Sequence, residues 1–160
     1  MLLTQRQIES FEQNGYLVLE NFVSQEDCDK LRGRASKIVE DFDSSESVNI
    51  FTTNEQTRYS DHFFLESGNK IRCFFEEEAF DENGYLKQPK EFSINKIGHA
   101  MHDLDPVFDS FSRTEELGAV AKDVGFEDPR ICNQCIFSNS QRLEEKLAFI
   151  RTQLFSTQNQ

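Results

Sequence analysis

The groups best able to do chemistry crowd into one stretch, residues 69–108, where Lys96, His99, His102, Asp103 and Asp105 fall within ten positions. Ser93 or Asn95 can cap a helix running through Ile97, Ala100, Met101 and Leu104. On such a helix His99, His102 and Asp105, at i, i+3 and i+6, share one side. Two imidazoles and a carboxylate suit zinc or another transition metal. The spacing specifies no fourth ligand, and capping, packing or solvent exposure accounts for the same residues. Lys96, between Ile94 and Ile97, offers either a half-buried ammonium aimed at an anion or a snorkelling side chain. Cys132 and Cys135 form a Cys-x-x-Cys, but no second pair and no nearby histidine joins them.

The elements that must position these groups read in order. Thr4 caps a helix carrying Ile8 and Phe11, and Gly15 stops it. Tyr16 to Leu19 reads as a short strand. Ser24, with Asp27, caps a second helix whose apolar stripe is Cys28, Leu31, Ala35, Ile38, Val39 and Phe42. Residues 43–61 are polar and aperiodic, and Phe63, Phe64 and Leu65 return the chain to the core. Ile71 to Phe75 is a buried strand, and Asp81-Glu82-Asn83-Gly84 is a hairpin turn of type I′. Pro106 breaks the helix through Met101. Ser112 and Glu115 make a capping box for a helix bearing Leu117, Val120, Ala121 and Val124, closed by Gly125. Pro129 to Cys132 opens another strand. The order lacks both βαβ alternation and the consecutive strands of a closed barrel.

A chain of 160 residues with 37% apolar residues and 16 Phe suits one compact domain with a real core. A net charge of -12 disfavours nucleic acid and anionic membranes as partners. No apolar run reaches the roughly 18 residues of a membrane span. The opening is too short and polar for a signal peptide, and with four cysteines this predicts a reducing, cytoplasmic location.

Lys70-Ile71-Arg72, Phe74-Phe75-Glu76, Phe80-Asp81, the run Ser93-Ile94-Asn95-Lys96-Ile97-Gly98-His99-Ala100 and Asp105-Pro106-Val107-Phe108 resemble the phytanoyl-CoA dioxygenase family. Residues 11–28, opening Phe11-Glu12-Gln13-Asn14-Gly15-Tyr16, resemble that family's start. The likeness runs from about Thr4 to Cys132. It implies an α+β fold: the N-terminal helical and short-strand portion of a double-stranded β-helix (jelly-roll or cupin-like), with the barrel incomplete. It also implies Fe(II) and 2-oxoglutarate as cofactors and a small-molecule substrate, with Lys96 contacting 2-oxoglutarate. In the family a His-x-Asp pair and a distal histidine hold the iron. Here no His-x-Asp occurs: Phe64 follows His62 by two, Met101 follows His99 and Leu104 follows His102. No metal ligand and no catalytic residue is therefore carried over, and no cofactor is expected on the chain as written.

Residues 133–160 diverge from that pattern. At face value Leu143, Leu147, Ile150 and Leu154 make an amphipathic helix. Alternatively, codons taken one base out of register after Cys132 permit a reading that contains Gly-Gly-Glu and then His-Gln-Asp, which resembles the family's iron segment. That reading divides the chain into 1–132, part of a dioxygenase domain, and 133–160, an out-of-frame tail. It makes the Cys-x-x-Cys an accident of translation. Three functions stay open: a truncated, inactive dioxygenase fragment, which is favoured; an active enzyme whose full product is longer; and a small acidic binding module with no enzymatic activity.

Overall fold

The computed structural model describes residues 1–43, 50, 62–137 and 150–156. Helices α1 (Gln5–Asn14) and α2 (Gln25–Asp41) open it. A one-turn helix α3 (His62–Leu65) precedes strand β1 (Ile71–Phe75). A 3-10 turn (Lys90–Phe92) leads into β2 (Ile94–His99). Helices α4 (Met101–Leu104), α5 (Pro106–Ser112) and α6 (Glu115–Asp123) follow. Strands β3 (Pro129–Phe137) and β4 (Ile150–Ser156) complete the order.

The four strands form one open antiparallel sheet in the order β1-β2-β3-β4. Helix α2 places Leu31, Ala35 and Val39 against one face, where they meet Cys73, Phe75, Ile94, Ile97, Met101, Phe108 and Ile136. Cys73, Ile97 and Ile136 stand opposite one another across three strands. The next row, Phe74, Lys96 and Phe137, points to the other face, because side chains alternate along a strand.

Local chemistry explains the ends of the elements. Thr4 and Gln7 close a full capping box on α1, and Gly15 takes φ 75° with its N–H on Phe11 O. The Ser24 hydroxyl accepts from Asp27 N, as its sequence position predicts. Lys90 Nζ donates to the carbonyls of Glu40 and Phe42, satisfying the C-terminal end of α2. At Asp81–Gly84 only Gly84 has positive φ, 83°, and its N–H bonds Asp81 O. That is a type I turn with a left-handed glycine, not type I′, which needs positive φ at two residues.

Four further expectations change. The stretch from Ser93 to His99 is a strand, and only Met101–Leu104 is helical, for a single turn. Tyr16–Leu19 is neither helix nor ladder strand among the described residues; Tyr16 and Val18 are exposed. Ser112 ends α5 and bonds Gln134, while Thr114 is the N-cap of α6. Ile150 and Leu154 belong to a strand, so the helix expected there does not form; Leu143 and Leu147 lie outside the described residues. Most of the loop expected at 43–61 lies outside them too.

Candidate functional site

Lys96 sits on β2, hydrogen-bonded between β1 and β3, opposite Phe74 on one side and Phe137 on the other. It is 6% exposed, which rules out the snorkelling alternative. Its ammonium lies 5.3 Å from the ring centre of Phe64, 5.4 Å from Phe137 and 5.9 Å from Phe74. Three ring faces within about 6 Å of one cation are a cation–π cage. Gly98, two residues on, makes room for the lysine stem: a Cβ there would meet Lys96 Cε at 3.3 Å and Cys135 Sγ at 3.2 Å.

His99 is buried beside this cage. Its Nδ1 lies 2.8 Å from Ser67 Oγ and 3.3 Å from Ser67 O. Ser67 Oγ already donates its single hydrogen to Phe64 O, and a carbonyl oxygen only accepts. Both contacts therefore require the hydrogen on Nδ1 of His99. Burial, reinforced by the Lys96 charge, pushes its pKa down to about 4 against the opposing backbone bond from Ser67, so the ring is neutral at pH 7. The ring also meets Phe64 edge-on at 5.5 Å and leans on Phe74 at 5.8 Å.

The other two groups of the expected metal cluster are used elsewhere. Asp105 Oδ2 accepts from Arg34 Nε on α2, and its Oδ1 caps α5 through the amides of Val107 and Phe108. His102 is buried, with Nε2 3.4 Å from Asp103 Oδ2 and Nδ1 unpartnered. Among the described residues no three His, Cys, Asp or Glu side chains converge on a point where a metal ion fits. The strand conformation at Ile94–His99 removes the helical spacing that put His99, His102 and Asp105 on one side. Cys132 is exposed and Cys135 buried, so the Cys-x-x-Cys points its two thiols in different directions along β3.

The sequence singled out Lys96 and, as a metal ligand on a helix, His99; the structure sets both on β2 beside Ser67, Phe64 and Gly98, which the sequence did not single out. The signal was faint: Ser67 precedes Gly68 in a polar turn, and Phe64 reads as ordinary core. A separate apolar groove of about 1000 Å³ runs between α1, α2, α5, α6 and the start of β3, lined by residues including Phe11, Leu31, Leu117, Val120 and Ile131. It shares no residue with the Lys96 cage.

The sequence profile of the family described as "Phytanoyl-CoA dioxygenase (PhyH)" matches residues 11–142. A protein named "Phytanoyl-CoA dioxygenase" from Arabidopsis thaliana is 43% identical over 127 residues, covering 79% of this chain and 44% of that protein. The "Phytanoyl-CoA dioxygenase domain-containing protein 1 homolog" of Dictyostelium discoideum is 37% identical over 142 residues, covering 88% and 50%. The bovine "Phytanoyl-CoA dioxygenase domain-containing protein 1" is 39% identical over 132 residues, covering 79% and 45%. The chain spans about half the length of these curated relatives. With a profile match across most of its length, the chain belongs to the phytanoyl-CoA dioxygenase family.

Proposed function

We propose that the chain is the N-terminal part of an Fe(II)- and 2-oxoglutarate-dependent dioxygenase with a jelly-roll core, and that Lys96 contacts a carboxylate of 2-oxoglutarate. The observation that carries this reading is the position of Lys96: a buried cation on the middle of the sheet, walled by Phe64 and Phe74. An ammonium in such low-dielectric surroundings attracts a carboxylate far more strongly than one in water. The substrate is a small molecule. The cell compartment is the cytoplasm, which suits the thiols of Cys28, Cys73 and Cys132.

The described residues do not fit iron, because no three of their His, Cys, Asp or Glu side chains converge on one point. Metal-assisted chemistry needs fixed ligands and an open position. The 160 residues as written are therefore proposed not to turn over 2-oxoglutarate. The ligands are proposed to come from the product in which one base near Cys132 is restored and His-Gln-Asp follows. Transcript sequence decides this: a stop codon before any His-x-Asp in the restored frame ends the idea.

The test of the Lys96 role is calorimetric binding of 2-oxoglutarate to that longer product. One charged hydrogen bond contributes roughly 1.5–3 kcal/mol. Lys96→Ala is expected to weaken affinity about ten- to a hundredfold with an unchanged circular dichroism spectrum. An unchanged affinity removes Lys96 from the site.

A further inference from the structure

Lys96 is carried by the sheet, but one wall of its cage is not. Phe64 belongs to α3, a helix of a single turn, too short to hold itself in place. Arg72 holds the Phe63 carbonyl and ring, and Phe74 packs on the rings of both Phe63 and Phe64. A compact set of bonds centred on Ser67, which is 0% exposed, fixes the C-terminal end of the helix. Ser67 Oγ donates to Phe64 O, and Ser67 N lies 3.1 Å from the same carbonyl. Ser67 Oγ and O both receive the Nδ1–H of His99. Three residues on, Lys70 O accepts from the amides of His99 and Ala100 at 2.8 and 3.1 Å. The turn after α3 is thus riveted to the end of β2, three residues past Lys96. The His99 ring touches both Phe64 and Phe74, the two rings that also flank the ammonium.

We propose that Ser67 and His99 form a latch that docks α3 across the sheet and sets Phe64 as the wall that fixes the Lys96 ammonium. His99 is thereby a positioning residue, acting through Ser67 and Phe64, and makes no contact with the co-substrate. The proposal rests on the reading of Lys96 as the carboxylate contact, but the latch itself is a property of the 160-residue chain. It requires a neutral imidazole in the Nδ1–H form. The Nε2–H form turns a lone pair toward the Ser67 carbonyl and loses that bond, and it can hold Ser67 Oγ only by taking the hydrogen that ties it to Phe64 O.

One experiment separates the two ideas. Purified 160-residue chain is treated with an amine-acetylating reagent. The rate at Lys96 is read by peptide mass spectrometry against exposed Lys87. The latched chain is expected to modify slowly at Lys96. Loss of one neutral hydrogen bond shifts an opening equilibrium by roughly five- to tenfold. Ser67→Ala and His99→Gln are expected to raise the Lys96 rate by about that factor. His99→Asn places an amide N–H where Nδ1–H stood and is expected to keep the slow rate. Phe64→Leu, at a half-buried position that leaves Ser67 and His99 intact, is expected to raise the rate even where a latch variant fails to fold. Nitrogen-15 correlation spectra are expected to report Nδ1–H at His99 at pH 7. Unchanged rates in Ser67→Ala and Phe64→Leu, or an Nε2–H ring, overturn the latch. In a parallel arm, 2-oxoglutarate and Fe(II) are added to the longer product that carries His-Gln-Asp. Failure to protect Lys96 there counts against the carboxylate reading alone and leaves the latch standing.

Discussion

Arg34 and Asp105, 71 residues apart, are joined by a charge-assisted bond that ties α2 to the start of α5. The carboxylate is 1% exposed and also receives the amides of Val107 and Phe108, with Pro106 at the first helical turn. One side chain therefore fixes a helix start and the seating of the helix that covers the core.

That double use makes Asp105 sensitive to substitution. Asp105→Ala removes an N-cap, worth about 1 kcal/mol, and a charged bond worth roughly 1.5–3 kcal/mol. A total loss of roughly 2–4 kcal/mol is expected in urea unfolding. Asp105→Asn keeps the cap and is expected to lose about half as much. Equal losses for the two variants would show that capping contributes nothing.

His99 sets a pH dependence. Its pKa falls from 6.5 in the unfolded chain to about 4 in the fold. The folded state thus binds fewer protons between these values. Its stabilising contribution is complete above pH 6.5 and declines as pH falls toward 4. The full span corresponds to roughly 3 kcal/mol. His99→Asn is expected to flatten the stability curve within that window, measured by urea titration at half-unit pH steps. A wild-type curve already flat from pH 6.5 to 4.5 would contradict the assignment.

The cysteines are expected to differ in reactivity. Burial pushes the Cys73 thiol up to about 12, with only partial relief from the Lys90 charge. Cys132 is exposed on β3. Iodoacetamide at pH 8 is expected to alkylate Cys132 within minutes and to leave Cys73 untouched until denaturant is added. Simultaneous labelling of both in native buffer would mean that the core around Cys73 opens freely.

Gly98 is expected to be intolerant of a methyl group for a local reason. The added carbon meets Lys96 Cε at 3.3 Å, a contact that lies before Cys132 and is kept in the longer product. Overpacking of this kind costs roughly 1–3 kcal/mol. Gly98→Ala is expected to keep the fold and to weaken 2-oxoglutarate binding by the longer product. Full retention of affinity would place the co-substrate away from the lysine stem.

Caps and stripes were legible in the sequence wherever a single residue type dictates the local outcome. Thr4, Gly15, Ser24 and the Leu31–Ala35–Val39 stripe fall where their chemistry put them. β2 was misread for a definite reason. The register shifts between Phe74 and Phe75, so Phe74 faces Lys96 while Phe75 faces Ile94, leaving Asn95 as an extra residue. The irregularity turns Ile94 and Ile97 to the same core although they are three apart. A three-residue spacing of apolar residues is the mark of a helix, and one inserted residue imitates it.

The site was half legible. Spacing alone left Lys96 open between an anion-facing and a snorkelling side chain, and its walls come from three separate segments. Phe64, Phe74 and Phe137 approach it only through strand pairing and the turn at Ser67. No local pattern encodes such a meeting.

The two sides of the Lys96 cage differ in how often they come apart. β2 is bonded along both edges, by β1 and β3, and such central strands exchange their amide hydrogens only in large openings. α3 is one turn held by the Ser67 bonds, the Arg72–Phe63 bond and the Phe74 ring, so its amides are expected to exchange through smaller openings. The lysine thus keeps its station through many breaths of its own wall. The frequency of those openings is readable as the exchange rate of the Glu66 and Ser67 amides.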